Sequence, residues 1–170
     1  MISNYVYKTN KKGKQNLINI YGNGKGKSTY AFGYAIRKIM HNKKTKIVYF
    51  DKGGDFYGEK YFFDKLKRTN NNFNYLSFGL SRIEENNNFR EDNLPKDIKE
   101  AQKGLEEIRN SIKDNFVIAD EFNTTISTSL LDEKDIIETL NKIERKMLIS
   151  GRGATNNVLG VCGEHIEVKE

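Results

Sequence analysis

Leu17-Ile18-Asn19-Ile20-Tyr21-Gly22-Asn23-Gly24-Lys25-Gly26-Lys27-Ser28-Thr29 is the stretch that decides the fold. An apolar run enters it, three alternating glycines fill it, and a Lys-Ser-Thr triplet leaves it for a helix-compatible segment reaching about Met40. Strand, glycine-rich loop, Lys-Ser/Thr and helix in this order describe a phosphate-binding loop. Glycines allow successive backbone N–H groups to turn toward an anion, and the helix N-terminus adds partial positive charge. Lys27 is placed to reach phosphate oxygens, and the Ser28 hydroxyl to face a Mg²⁺ (or Mn²⁺) ion. The spacing is compressed. The usual motif has glycine six residues before the lysine, and that position is Tyr21.

Outward from the loop, the helix carries an apolar stripe of Tyr30, Ala31, Tyr34, Ala35 and Ile39, widened by Phe32 and Ile36, as for a helix packed on a sheet. Lys46–Phe50 and Phe116–Ala119 are short, continuously apolar runs that suit parallel strands covered on both faces. The first ends at Asp51-Lys52-Gly53-Gly54 and the second at Asp120-Glu121. An apolar strand tipped with carboxylates, downstream of a phosphate loop, is the Walker B arrangement, so Ser28, Asp120 and Glu121 form the expected metal set. Phe73–Phe78, Met147–Ser150 and His165–Val168 read as further strands, and Gly151-Arg152-Gly153 brings an arginine to a strand end. Helices are predicted from Asp97 through Ile112, from Asp132 through Ile143, and around Val158 and Leu159. Tyr57, Tyr61, Phe62, Phe63 and Leu66 suggest a short aromatic core helix, and the polar stretch from Gly79 to Pro95 a loop.

The 170 residues suit one domain, numbered 1–170, with residues 1–16 as a basic arm (Lys8, Lys11, Lys12, Lys14). Strands alternating with helices predict an α/β, three-layer, mostly parallel fold. The net charge of +6 is read as solvated faces and an anionic ligand, with nucleic acid a minor alternative. No stretch is apolar enough to span a membrane, and a single cysteine, Cys162, fits a reducing, cytoplasmic setting. His41, His165 and Cys162 are scattered, so no His/Cys metal cluster is expected.

The loop Gly22–Thr29, followed by Ala31-Phe32-Gly33 and Arg37, resembles that of the ATP:corrinoid adenosyltransferase family, which reads Gly-Asn-Gly-Lys-Gly-Lys-Thr-Thr. Val48–Gly53 is similar to that family's Val-Gln-Phe-Ile-Lys-Gly, Val117–Glu121 to its Val-Leu-Asp-Glu, and Leu148–Gly153 to its Ile-Thr-Gly-Arg-Gly. The resemblance implies a RecA-like P-loop fold, a homodimer, and transfer of the 5′-deoxyadenosyl group of ATP to Co(I) of a reduced corrinoid with loss of triphosphate. It implies Lys27 and Glu121 as catalytic residues. Gly22, Asn23, Gly24, Lys25, Gly26, Lys27, Ser28, Thr29, Arg37 and Arg152 would then bind the nucleotide. Since Co(I) is itself the nucleophile, no serine, cysteine or general base is required. Two departures stand out. Leu80 and Arg82 occupy positions where the family carries Phe and Trp, with Phe78 and Phe89 the nearest aromatics, and the family's C-terminal tail does not follow Glu170. The nucleotide half is therefore expected intact and the corrinoid half altered. The alternative is a divergent P-loop ATPase.

Overall fold

The computed structural model describes residues 4–54, 57–83, 88, 90 and 92–170. Among these the chain runs β1 (Asn4–Thr9), β2 (Lys14–Tyr21), α1 (Lys27–Met40), β3 (Thr45–Phe50), α2 (Gly58–Thr69), β4 (Phe73–Phe78) and α3 (Pro95–Ser111). It continues through β5 (Phe116–Asp120), α4 (Phe122–Ser127), α5 (Glu133–Asn141), β6 (Met147–Gly151), α6 (Asn156–Val161) and β7 (Cys162–Lys169). One sheet forms in the order β1-β7-β2-β6-β5-β3-β4. All pairs are parallel except β1 with β7.

Two cores sandwich this sheet. Ile18, Ile20, Ile47, Tyr49, Ile118 and Leu148 face α1 and α2, where Ala31, Ala35, Ile39 and Phe63 meet them. Leu17, Val48, Phe50, Val117, Ala119 and Ile149 face α3 to α6 through Ala101, Leu105, Phe122, Leu140 and Val158. Adjacent residues of one strand thus belong to opposite cores, the period-two alternation of a strand covered on both sides. This is the three-layer, P-loop NTPase-like α/β fold that the strand and helix alternation predicts. Asp132 caps α5 by accepting the Lys134 N–H, and Asp97 sits inside α3 and accepts the Leu94 N–H at 2.7 Å.

The N-terminal arm is corrected. Residues 4–9 form the edge strand β1, antiparallel to β7, and residue 14 already belongs to β2. The stretch shows no apolar pattern because an edge strand with two open faces needs none. Tyr5, Val6, Tyr7 and Thr9 supply strand-forming side chains, and Lys8 pairs with Glu167 at 2.7 Å. The aromatic helix is α2, but only Phe63 is buried, while Tyr61 and Phe62 are exposed. The short helix α4, beginning directly after Glu121, was not foreseen.

Candidate active site

β2 ends and the chain turns through Gly22, which has φ of +108°. A Cβ here would lie 2.4 Å from the Val168 carbonyl oxygen, and one on Gly24 would lie 2.5 Å from that of Lys169. The Gly24 N–H donates to the Val168 carbonyl at 2.9 Å. The compressed glycine spacing therefore has a physical cause: the loop runs against the backbone of β7, leaving no room for side chains at alternate positions. Gly26, at φ +103°, opens α1 with no side-chain cap, so the first N–H groups of the helix face outward as an anion site.

A cleft of about 380 Å³ lies over this helix end. It is lined by Gly24, Lys25, Gly26, Lys27, Ser28, Thr29, Glu121, Thr124 and Arg152. Gly22 and Asn23 precede it in the same loop. Lys27 is buried and its Nζ donates to the Gly24 carbonyl at 2.7 Å. Burial pulls its pKa below the usual lysine value, and the nearby Arg152 adds to that against the pull of Glu121. No ion pair holds Lys27 among the described residues, so a phosphate can displace the carbonyl. Arg37 is not brought here. It lies on the exposed side of α1, ten residues and about 15 Å along the axis from Lys27, with its guanidinium 5.1 Å from the Tyr34 ring centre.

The carboxylates come from β5. Asp120 is fully buried and holds three donors: Ser28 Oγ at 2.9 Å, Ser150 Oγ at 2.5 Å and Lys52 Nζ at 2.5 Å. Glu121 follows at φ +59°, a left-handed conformation unusual for a side chain of this kind and typical of functional turns. Helix α4 fixes it there. Phe122 packs on Phe50, and Asn123 Nδ2 donates to Asn19 Oδ1 of β2 at 2.8 Å. Thr124 Oγ1 donates to Glu121 Oε2 at 2.5 Å and accepts the Arg152 N–H at 3.1 Å, linking two strand ends.

The residue that sequence reasoning missed is Lys52. It is buried, and its Nζ also donates to Ser28 Oγ at 2.9 Å. Burial opposes its charge, but Asp120, with Glu121 and Glu59 behind it, outweighs the penalty and raises its pKa. The signal was a lysine two positions beyond an apolar strand, at the ligand edge of the sheet. Ser28, Asp120 and Glu121 are hard oxygen donors suited to Mg²⁺, and a cationic group already rests between the first two, so the residues fit a divalent ion.

Among its described residues, the polar stretch after β4 is held by ion pairs. Arg82 is buried, donating to Asp51 Oδ1 at 2.7 Å, to the Asp92 carbonyl at 3.1 Å and to Asn93 Oδ1 at 2.9 Å. Arg90 donates to both carboxylate oxygens of Asp97, at 2.7 and 3.0 Å. Phe89 lies outside the described residues.

A parallel sheet with a phosphate loop, an uncapped helix end and a carboxylate-tipped strand defines a P-loop nucleotide-binding protein. Residues 14–170 match the sequence model of the ATP:corrinoid adenosyltransferase family BtuR/CobO/CobP, and the chain belongs to that family. It is 28% identical over 161 residues to a corrinoid adenosyltransferase of Sinorhizobium sp, covering 91% of this chain and 71% of the relative. It is 29% identical over 155 residues to the corrinoid adenosyltransferase of Escherichia coli K12, and 28% identical to corrinoid adenosyltransferase CobA of Salmonella typhimurium LT2. Each of these two alignments covers 90% of this chain and 76% of the relative. The protein is thus a transferase of a family whose substrates are ATP and a corrinoid. No helix among the described residues is long and apolar enough to cross a membrane.

Proposed function

We propose that the protein transfers the 5′-deoxyadenosyl group of ATP to the cobalt of a reduced corrinoid and releases triphosphate. Co(I) supplies both electrons of the new Co–C5′ bond, and the C5′–O5′ pair leaves with the triphosphate, so no proton need be moved by the protein. The observation that carries the reading is the cleft itself. Lys25, Lys27, Arg152 and the bare end of α1 converge on it, all suited to hold and discharge a triphosphate. Lys27 exchanges its bond to the Gly24 carbonyl for a phosphate oxygen. The backbone of the loop, Gly22 to Thr29, orients the chain of phosphates so that C5′ faces the second substrate. A Mg²⁺ or Mn²⁺ ion held by Ser28, Asp120 and Glu121 would neutralise charge on the leaving group. The reading extends to a homodimer, open to test by light scattering, and to a cytoplasmic setting in which the buried thiol Cys162 stays reduced.

Incubation with ATP, Mg²⁺ and chemically reduced cobalamin tests the proposal. The expected result is the spectrum of adenosylcobalamin with stoichiometric triphosphate. Nucleotide binding without spectral conversion would sink it. A second reading, a P-loop ATPase without corrinoid chemistry, is favoured by one observation: Arg82 is buried in an ion pair where the resemblance expects an aromatic side chain. Release of ADP and phosphate would support that reading instead.

A further inference from the structure

Two oxygens of the carboxylate-tipped site meet an ammonium of the protein's own. Lys52 Nζ lies 2.5 Å from Asp120 Oδ2 and 2.9 Å from Ser28 Oγ, between the groups read as divalent-cation ligands. We propose that Lys52 is a resident counter-cation that must leave Asp120 for the divalent ion to enter, and that Glu59 receives it. The inference rests on Ser28, Asp120 and Glu121 being the metal ligands.

Asp120 is fully buried, and an unpaired carboxylate there would be costly, so some cation must accompany it in every state. Its Oδ1 is taken by Ser150 and its Oδ2 by Ser28 and Lys52. An ammonium and a divalent ion cannot share Oδ2 at contact distance, because their repulsion in a buried site exceeds what one carboxylate returns. Lys52 has somewhere else to go. Its backbone is pinned, with Ser77 Oγ and Lys60 Nζ donating to the Lys52 carbonyl at 2.7 and 2.8 Å, while the ammonium rides on a four-carbon stem with several rotatable bonds. Glu59 Oε1, in the first turn of α2, is already 3.9 Å from the ammonium, and the Tyr57 ring centre is 5.6 Å away. A small rotation exchanges one carboxylate for the other. The buried site keeps one cation, and the ammonium stays paired.

The apparent affinity for metal is then lowered by the fraction of molecules in which Lys52 holds Asp120. If that fraction is nine in ten, removing the ammonium tightens binding roughly tenfold. The test is Mn²⁺ titration of the nucleotide-free protein, followed by the EPR signal of the free ion. Lys52→Met is expected to bind Mn²⁺ about tenfold more tightly than wild type. Unchanged or weaker binding by the folded variant overturns the proposal. If Lys52→Met does not fold, Glu59→Gln, at a partly exposed position, decides. A several-fold weaker Mn²⁺ affinity supports the exchange, and an unchanged one overturns it. Neither measurement involves a corrinoid. A protein that shows the exchange but forms no adenosyl product would remove the activity reading alone.

Discussion

Lys27 illustrates how one side chain can be poised without a partner. It is buried and, among the described residues, hydrogen-bonded only to the Gly24 carbonyl of its own loop. Replacing that bond by one to a phosphate exchanges a neutral acceptor for a charged one, whose hydrogen bond is worth about 1.5–3 kcal/mol in all. Lys27→Ala is therefore expected to weaken ATP binding, measured by calorimetry, by roughly ten- to a hundredfold. Glu121 should behave differently. If it holds the metal rather than the nucleotide, Glu121→Gln lowers turnover by roughly tenfold or more with a smaller change in ATP affinity. Steady-state kinetics beside calorimetry would separate the two, and wild-type turnover in both variants would contradict the site. Lys27, Ser28, Asp120, Glu121 and Arg152 were all legible in the sequence, because each sits at a fixed offset from a strand end. Lys52 and Thr124 were not. Their importance lies in what they touch across the sheet edge, and the place of Lys52 just past a strand end does not by itself name those partners. Arg37 was taken from resemblance alone, and the helix that carries it points it away from the loop.

At the level of elements, the loop and β7 depend on each other. Gly22→Ala places a methyl 2.4 Å from a backbone oxygen at a positive φ, a strain of about 1–3 kcal/mol. For a chain of this size that lowers the melting temperature by about 2–4 °C per kcal/mol. Gly33→Ala is the contrast. Gly33 lies within α1 with open space around it, so alanine should stabilise by about 0.5–1 kcal/mol. Thermal melts showing the same sign for both would contradict this account. The connection after β4 offers a second comparison. Asp51 and Arg82 stand where the resemblance has Ile and Trp, and they form a buried ion pair. Asp51→Ile and Arg82→Trp should each destabilise by stranding a charge. The double variant should lose less than the sum, with a coupling of about 0.5–3 kcal/mol in a double-mutant cycle. The departure at residue 82 was visible in the sequence. Its partner, 31 positions earlier, was not, because only the pairing of β3 with β4 brings them together.

For the whole molecule, the layers were readable because central strands carry continuous apolar runs and helices a three-to-four periodicity. β1 escaped because an edge strand shows neither, and α4 because six residues, four of them polar, are too few to show a period. The sheet also has a pH-sensitive point. His165, on β7 beside Asn19 of β2 and Lys8 of β1, is almost wholly buried. Burial, aided by Lys8, pulls its pKa below the ordinary 6.5 against a hydrogen bond to the Cys162 backbone. The unfolded chain therefore takes up a proton more readily than the folded one. Stability from this group is fully present above pH 6.5 and is lost as pH falls from there through the lowered folded value. Wild-type melting temperature should drop between pH 7.5 and 5.5 more steeply than that of His165→Gln.

The contact between the phosphate loop and β7 has a consequence for how the protein is made. Gly22 and Gly24 leave the ribosome early, whereas the carbonyls of Val168 and Lys169 that wall them emerge some 145 residues later. Until β7 has been made, the loop lacks the backbone wall that Gly22 and Gly24 pack against. ATP is then expected to find the finished cradle only after β7 has been made.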